Sequence, residues 1–451
     1  MRFTRGVIKI PIKYLCVFLI VVATASILYL HIRKQQTSRG QGQCRVMPPA
    51  PKLRARATGP EKPRPEQNVC WKEPAVVTFD QCPHCFRPAV KNLSSQLHQV
   101  QYSTSVFPRG PPDLFKPKKE MQQDFITSYL ITPNLVCVES CPYLVAVLLS
   151  VSGDFDQRTA VRATWASVAK TRIWPDAHLN AHTQIIFVLA HQTEHSHIKQ
   201  NQPQIPRKYV EKEEFPTLLQ WTRIQEEADR FGDILYLNMQ DSYYNLTLKL
   251  LSAFNWVNDH CHKARFILKV DVDTFVNVPL LLDLLIVNEE RLEYSVLGKI
   301  YVQDRVVRRA HKWAVEAQIY PPAIFPVYAS GCAYIISARL LSRMVDVSPY
   351  ILTADLLDQL QGNHSSPKDL FVTSVLGGTL GYDYFSVAAD YLFTDELDTR
   401  WFWCDLVYDN KIVGRLTQEH GLYKIWRSVF RYYGKCWKEI PELANPTVRF
   451  D

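Results

Sequence analysis

Phe266-Ile267-Leu268-Lys269-Val270-Asp271-Val272-Asp273-Thr274-Phe275-Val276-Asn277 is the stretch on which the reading of this chain turns. The mostly apolar run Phe266–Val270 reads as a buried strand. Asp271 and Asp273 then stand at its carboxyl end, where open α/β sheets take ligands. Two carboxylates one residue apart can share a hard divalent cation, which takes oxygen ligands and keeps waters and substrate phosphates in its shell. A chain of this length holds roughly one Asp-x-Asp by chance. The same pair is also read as a plain acidic loop, so its neighbours decide.

Upstream, Tyr143–Val151 is a continuous apolar run, the pattern of a strand buried on both faces. Asp154 to Val168 reads as a helix, with Val161, Trp165 and Val168 at helical spacing. Thr183–Leu189 is a second buried strand, Trp221–Arg230 a polar helix and Asp233–Leu237 a third strand. Leu246–Asn258 is an amphipathic helix with Leu250, Leu251, Phe254 and Val257 on one face. The strand ending at Asp271 follows. Strands alternating with helices predict an α/β domain on a largely parallel, doubly wound sheet. No Gly-x-Gly-x-x-Gly fingerprint or P-loop is present.

The 451 residues are 47% hydrophobic and 12% aromatic, enough for a sizeable core. Tyr14–Ile32 is apolar and free of formal charge, and its 19 residues span roughly 28 Å as a helix, enough to cross a bilayer core. Arg2, Arg5, Lys9 and Lys13 precede it, which favours a cytoplasmic N-terminus and an uncleaved signal anchor with the rest of the chain luminal. The net charge of +8 is misleading. Residues 1–65 carry 13 basic residues against the single acid Glu61, leaving 39 basic and 43 acidic residues beyond. The folded part is not basic, which argues against nucleic acid as a partner. Residues 33 to about 68 are rich in Pro, Arg, Lys and Gln and read as an extended stem.

Ten of the eleven cysteines lie beyond the anchor, and an oxidising lumen would favour disulfides among them. Cys82-Pro83-His84-Cys85 is read as stem disulfide cysteines rather than a redox or zinc centre. Asn92, Asn245 and Asn363 head Asn-x-Ser/Thr triplets and are candidate glycosylation sites.

Further segments complete a pattern. Arg158 and Arg162 lie four apart on one helical face, able to meet phosphate or to pair with acids. Asp241-Ser242-Tyr243-Tyr244-Asn245-Leu246-Thr247-Leu248-Lys249 precedes the Asp-x-Asp strand. Lys312-Trp313, Tyr328-Ala329-Ser330-Gly331-Cys332-Ala333-Tyr334 and Lys368-Asp369-Leu370-Phe371-Val372-Thr373 come after it. In order and spacing the set resembles the β-1,3-glycosyltransferase family, which includes β-1,3-galactosyltransferases and β-1,3-N-acetylglucosaminyltransferases. The resemblance covers roughly Cys137 to Trp426.

That resemblance implies a GT-A fold with a Rossmann-like nucleotide-binding sheet. It implies a single-pass type II Golgi enzyme that uses a UDP-sugar and Mn²⁺ and inverts the anomeric centre on an acceptor glycan. It assigns Asp273 to the metal, Asp271 to a place beside the nucleotide and Asp369 to the catalytic base; Lys269, Arg158 and Arg162 are candidate nucleotide-sugar contacts, the two arginines being equally read as a buried ion pair. His420 matches a C-terminal family histidine and would either complete the metal shell or serve a structural role. Trp313, Tyr328 and Gly331 fall where the wall around the sugars is expected. The expected organisation is a cytoplasmic tail at 1–13, the anchor at 14–32, a stem at 33–136 and the catalytic domain at 137–451. Val272 departs from the family's middle acid, Cys332-Ala333 from a more glycine-rich pair, and Lys368 from its usual Glu. An ammonium beside Asp369 would weaken it as a base. A catalytically silent, glycan- or partner-binding member is the competing reading. A metal-dependent phosphohydrolase would explain the two acids but not the anchor, the stem or the later motifs.

Overall fold

A computed structural model describes residues 89–101, 127–137, 142–174, 177–191, 217–242, 245–302, 304–306, 308, 323–350, 371–376, 380–387, 393–394, 411–416 and 421–432. All lie within one compact unit, Pro65–Asp451. The chain opens with helix α1 (Ala89–Gln96) and strands β1 (His98–Gln99), β2 (Tyr129–Ile131) and β3 (Leu144–Leu149). Helix α2 (Phe155–Ala163), a 3₁₀ turn at Trp165–Ser167 and helix α3 (Val168–Thr171) come next. Then follow the small pair β4 (Ile173–Trp174) and β5 (Ala177–His178), β6 (Thr183–His191), α4 (Leu218–Phe231), β7 (Ile234–Gln240) and α5 (Leu246–His260). The strand of the opening motif is β8 (Phe266–Asp271), followed by β9 (Thr274–Val276), α6 (Val278–Val287), α7 (Glu289–Leu292) and β10 (Ser295–Tyr301). The chain closes with β11 (Tyr328–Ser337), α8 (Ala338–Val347), β12 (Asp383–Ser386), β13 (Phe393–Thr394), β14 (Val413–Arg415) and α9 (Gly421–Tyr432).

Local chemistry sets several boundaries. Thr217 and Gln220 form a reciprocal capping box at the start of α4. Gly232 ends that helix at φ +65, a left-handed position that glycine takes without strain. Asn277 caps α6 through Leu280 N–H with a proline in the first turn, and Ser337 caps α8 through Leu340 N–H.

Nine strands form the main sheet in the order β1-β12-β10-β11-β8-β3-β6-β7-β2. Its centre, β8-β3-β6-β7, is parallel, as the alternating strands and helices predict. β11 joins β8 antiparallel, β10 pairs antiparallel with β11 and β2 antiparallel with β7, so the sheet is mixed rather than largely parallel. Every residue of β3 is buried. Leu144, Ala146 and Leu148 pack on one face with α2, α6 and α9, and Val145, Val147 and Leu149 on the other with α5 and α8. Each such aliphatic side chain is worth roughly 1.5–3 kcal/mol relative to exposure, and helices on both faces explain the unbroken apolar run.

The sequence reading places the end of the stem too late. Leu93 and Leu97 are core residues, β1 extends the sheet beside β12, and β2 pairs with β7. Two- and three-residue strands in a Pro- and Cys-bearing stretch leave too little periodicity to be recognised. Cys137 and Cys261 form a disulfide that ties the approach to β3 to the end of α5. No helix among the described residues is long and apolar enough to cross a membrane, and the expected anchor at 14–32 lies outside them. Cys82 and Cys85 lie outside them as well.

Candidate functional site

The chain runs from β3 outward to β6 and β7 on one side, then returns to place β8 on the other side of β3. The order therefore reverses between β3 and β8, and a crevice opens where their carboxyl ends diverge. Leu149 and Asp271 are register partners at that point, which puts Asp271-Val272-Asp273 and Ser150–Asp154 on either side of it.

Helix α2 holds both loops. Gln157 Nε2 donates to the Val272 carbonyl at 2.8 Å. Arg158, fully buried, donates to Ser150 Oγ at 3.1 Å and to the carbonyls of Val151 at 2.7 Å and Ser152 at 3.2 Å. Its Nε and Nη2 reach Glu227 at 2.9 and 2.7 Å. All five guanidinium N–H groups are thus spent on protein acceptors. Arg162 pairs with Asp233 through Nε and Nη2 at 2.8 and 2.7 Å and with Glu227 through Nη1 at 2.6 Å. The expected contact of Arg158 and Arg162 with a nucleotide is corrected accordingly. They lock α2 to α4 and β7 and shape the loop after β3, with no guanidinium edge of Arg158 left for phosphate. A third tie, Lys249 Nζ to Asp241 Oδ2 at 2.7 Å and Ser150 carbonyl at 2.9 Å, anchors the same loop from α5.

Lys269, Asp271 and Gly331 lie together at the carboxyl end of β8. The Lys269 ammonium, on a fully buried residue, donates to Asp271 Oδ1 at 2.7 Å and to the Gly331 carbonyl of β11. Beside them runs a second chain of contacts. Cys332 Sγ lies 3.4 Å from Thr274 Oγ1, which in turn lies 3.4 Å from Asp273 Oδ1. Burial pushes the Cys332 thiol up to about 12. Tyr328 stacks on Tyr301 with ring centroids 5.1 Å apart and donates to Asp304 Oδ2 at 2.5 Å. Burial and that bond to a carboxylate both push its phenol above the ordinary value.

Arg415 is the residue the sequence did not disclose. β14 pairs antiparallel with β9 so that Arg415 faces Thr274, and Leu416 N–H donates to the Asp273 carbonyl at 2.8 Å. Arg415 Nε then meets Asp273 Oδ2 at 2.9 Å. Partial burial opposes the guanidinium charge, but Asp273, with Asp271 behind it, outweighs that and raises its pKa above the ordinary value. No local signal marks Arg415, because the contact is made 142 residues away in sequence.

In this arrangement Arg415 occupies one oxygen of the carboxylate at which Mn²⁺ is expected. A divalent ion about 4 Å from the guanidinium would be repelled by roughly 8 kcal/mol at an effective dielectric of 20, against which the two nearby carboxylates attract it, so Arg415 and an ion compete for Asp273. Among the described residues no three His, Cys, Asp or Glu side chains gather in one place. Trp313, Lys368, Asp369, His420 and Asn363 lie outside the described residues. The segment just past Asp369 is pinned in place: Thr373 accepts from Ala329 N–H of β11 at 3.0 Å, and its carbonyl accepts from Tyr382 at 2.7 Å. Asn92 lies on α1, and nothing further is described of its side chain.

Asn245, a candidate glycan site, stands in a folded setting. It is half-buried at the start of α5, its Nδ2 donates to the Gln240 carbonyl at 2.9 Å, and the triplet's Thr247 is buried.

Residues 219–365 match the profile of the Galactosyltransferase family. The chain is 28% identical over 243 residues to human lactosylceramide 1,3-N-acetyl-beta-D-glucosaminyltransferase, covering 51% of this chain and 56% of that protein. It is 28% identical over 233 residues to human beta-1,3-galactosyltransferase 5, covering 51% and 65%. It is also 28% identical over 231 residues to the rat UDP-GalNAc:beta-1,3-N-acetylgalactosaminyltransferase 1, covering 51% and 61%. The chain thus spans less than two thirds of the length of each. Among solved structures, the galactosyltransferase LgtC in complex with donor and acceptor sugar analogs aligns at TM-score 0.32 and 9% identity over 63% of this chain and 95% of that one, too distant to carry an argument.

Proposed function

We propose that this chain, whose residues 219–365 are a galactosyltransferase-family segment and whose relatives are β-1,3-glycosyltransferases, is itself a UDP-sugar-dependent β-1,3-glycosyltransferase of GT-A fold. It would move a hexose or N-acetylhexosamine to the 3-hydroxyl of an acceptor glycan on a glycoprotein or glycolipid. The observation that carries this reading is the placement of Asp271 and Asp273 at the carboxyl ends of parallel strands, at the point where strand order reverses.

The chemistry asks little covalent work of the protein. The acceptor oxygen forms a bond to the anomeric carbon from the face opposite UDP. The bond from that carbon to the diphosphate oxygen breaks, and its electron pair leaves with UDP. The acceptor proton passes to a carboxylate, and the resemblance gives that task to Asp369. One displacement turns an α-linked donor into a β-linked product. Lys269 fixes Asp271 against β11, and Gln157 and Arg158 hold the two loops that flank the donor. The apolar Tyr14–Ile32 span and its basic flank support a type II Golgi membrane protein with the enzyme in the lumen.

The test incubates the full-length protein with UDP-Gal, UDP-GlcNAc and UDP-GalNAc against a panel of acceptor glycans. Release of UDP matched by a new β-1,3 linkage in the product is the expected outcome. UDP binding without transfer across the panel would instead support the silent, glycan-binding member that Lys368 motivates. Absence of both would sink the reading. Loss of the C-terminal domain to protease added outside sealed microsomes would sink the luminal placement.

A further inference from the structure

Asp273 and Arg415 meet because the backbone brings them together. The β9–β14 ladder sets Arg415 opposite Thr274, and the Leu416 N–H bond to the Asp273 carbonyl clamps the next residue. The guanidinium arrives with its Nε–H on Asp273 Oδ2 at 2.9 Å. Two residues earlier, Asp271 already carries the Lys269 ammonium at 2.7 Å. Each carboxylate of the pair therefore has a protein cation of its own.

The two cations differ in what they can still do. Lys269 has no exposed surface and is committed to Asp271 and the Gly331 carbonyl. The Arg415 side chain is 41% accessible, and among the described residues its Nη groups make no hydrogen bond. A guanidinium anchored through Nε presents a planar, rigid fork, the geometry that suits phosphate oxygens. Its charge does not titrate away in any working pH range.

We propose that Arg415 is the resident cation of the Asp271–Asp273 loop, and that the site takes the diphosphate of its donor on this guanidinium rather than on a divalent ion. The proposal rests on the nucleotide-sugar reading above for its ligand, but not for its claim about the cation. In the transfer step the guanidinium would neutralise charge as the electron pair settles on the departing diphosphate, with no proton moved at that end.

Two measurements on the full-length protein test it: Mn²⁺ titration followed by the ion's paramagnetic resonance, and UDP affinity by calorimetry with chelator or with Mn²⁺. The native chain should leave Mn²⁺ free in solution, and chelation should change UDP affinity by less than about twofold. Arg415→Ala should weaken UDP at least about tenfold in chelator. It should also gain Mn²⁺ binding at the uncovered Asp273, with part of the UDP affinity restored by the ion. Arg415→Lys, which keeps the charge but not the fork, should bind UDP more weakly and remain indifferent to Mn²⁺. The native-chain titration decides the cation claim even where a variant fails to fold. Tight binding of one Mn²⁺ by the native chain, with UDP affinity falling at least about tenfold in chelator, would overturn the proposal. Failure of UDP to bind under either condition would overturn the nucleotide reading instead, and would remove the diphosphate from the proposal.

Discussion

Arg158 and Glu227 form a two-pronged ion pair, Nε and Nη2 of the one on both carboxylate oxygens of the other, with the arginine fully buried. The pair binds α2 to α4 directly behind the loop after β3. Glu227→Gln leaves two guanidinium groups facing a neutral amide in a buried site. Breaking such a pair from one side costs about 3–5 kcal/mol. A urea midpoint lowered at constant slope is the expected result. An unchanged midpoint would show that the network is dispensable.

The same pair sets a pH dependence. Burial alone would raise the Glu227 carboxyl, but the hydrogen bonds and charges of Arg158 and Arg162 outweigh it and leave it below its ordinary value. The unfolded chain therefore binds the proton first. The stabilisation is complete above about pH 4.3, the unfolded value, and is lost as pH falls through the lower folded value. Chemical denaturation between neutrality and mild acid should show stability falling only toward the acid end, with the fall reduced in Glu227→Gln.

The Cys137–Cys261 disulfide closes a loop of 124 residues that contains β3, β6 and β7. Removing a native disulfide typically costs about 2–5 kcal/mol. Cys137→Ser, or reductant added to the native protein, should lower the melting temperature. Peptide mapping without reduction should recover the two cysteines as one linked pair. Two separately alkylated peptides would refute the pairing.

Cys332 should resist chemistry that its neighbours would permit. It is buried, with a thiol pushed up to about 12, so little thiolate forms near neutrality. Iodoacetamide at mildly alkaline pH should leave it unmodified in the folded protein and alkylate it on addition of denaturant. Rapid labelling of the native protein would show that the wall between β9 and β11 opens.

Asp369→Asn tests the base assigned by resemblance. Turnover should fall by about 10²–10⁴ while UDP affinity stays near that of the native chain. The companion Lys368→Glu removes an adjacent ammonium, which should move the acid limb of the pH–rate profile upward. Near-normal turnover in Asp369→Asn would place the base elsewhere.

The parallel centre of the sheet was legible because each strand announces itself locally. Tyr143–Val151 and Phe266–Val270 are apolar runs between helical patterns, and Leu246–Asn258 carries its stripe within four turns. β10, β11 and β12 escaped because their pairing is set by partners far along the chain: Ala333 meets Val270, and Ser295 meets Asp383. The roles of Arg158 and Arg162 were undecidable from spacing alone. A phosphate and Glu227 make the same demand on two arginines four residues apart, and Glu227 lies 69 residues beyond Arg158. Lys269 and Asp271 meet because alternate residues of one strand share a face.

The β9–β14 ladder makes completeness of the chain a separate question from completeness of the fold. Every strand of the nine-stranded sheet lies before residue 411. A shortened chain ending after Ser386, whether from a premature stop codon or a trimmed expression fragment, would hold every strand of that sheet but lose Arg415, the strand beside Asp273 and the core-packing helix α9. Such a product could retain strand signal in circular dichroism and still lack the cation proposed for the Asp271–Asp273 loop. Assays of truncated forms should therefore be read as tests of the C-terminal strand before they are read as tests of the enzyme.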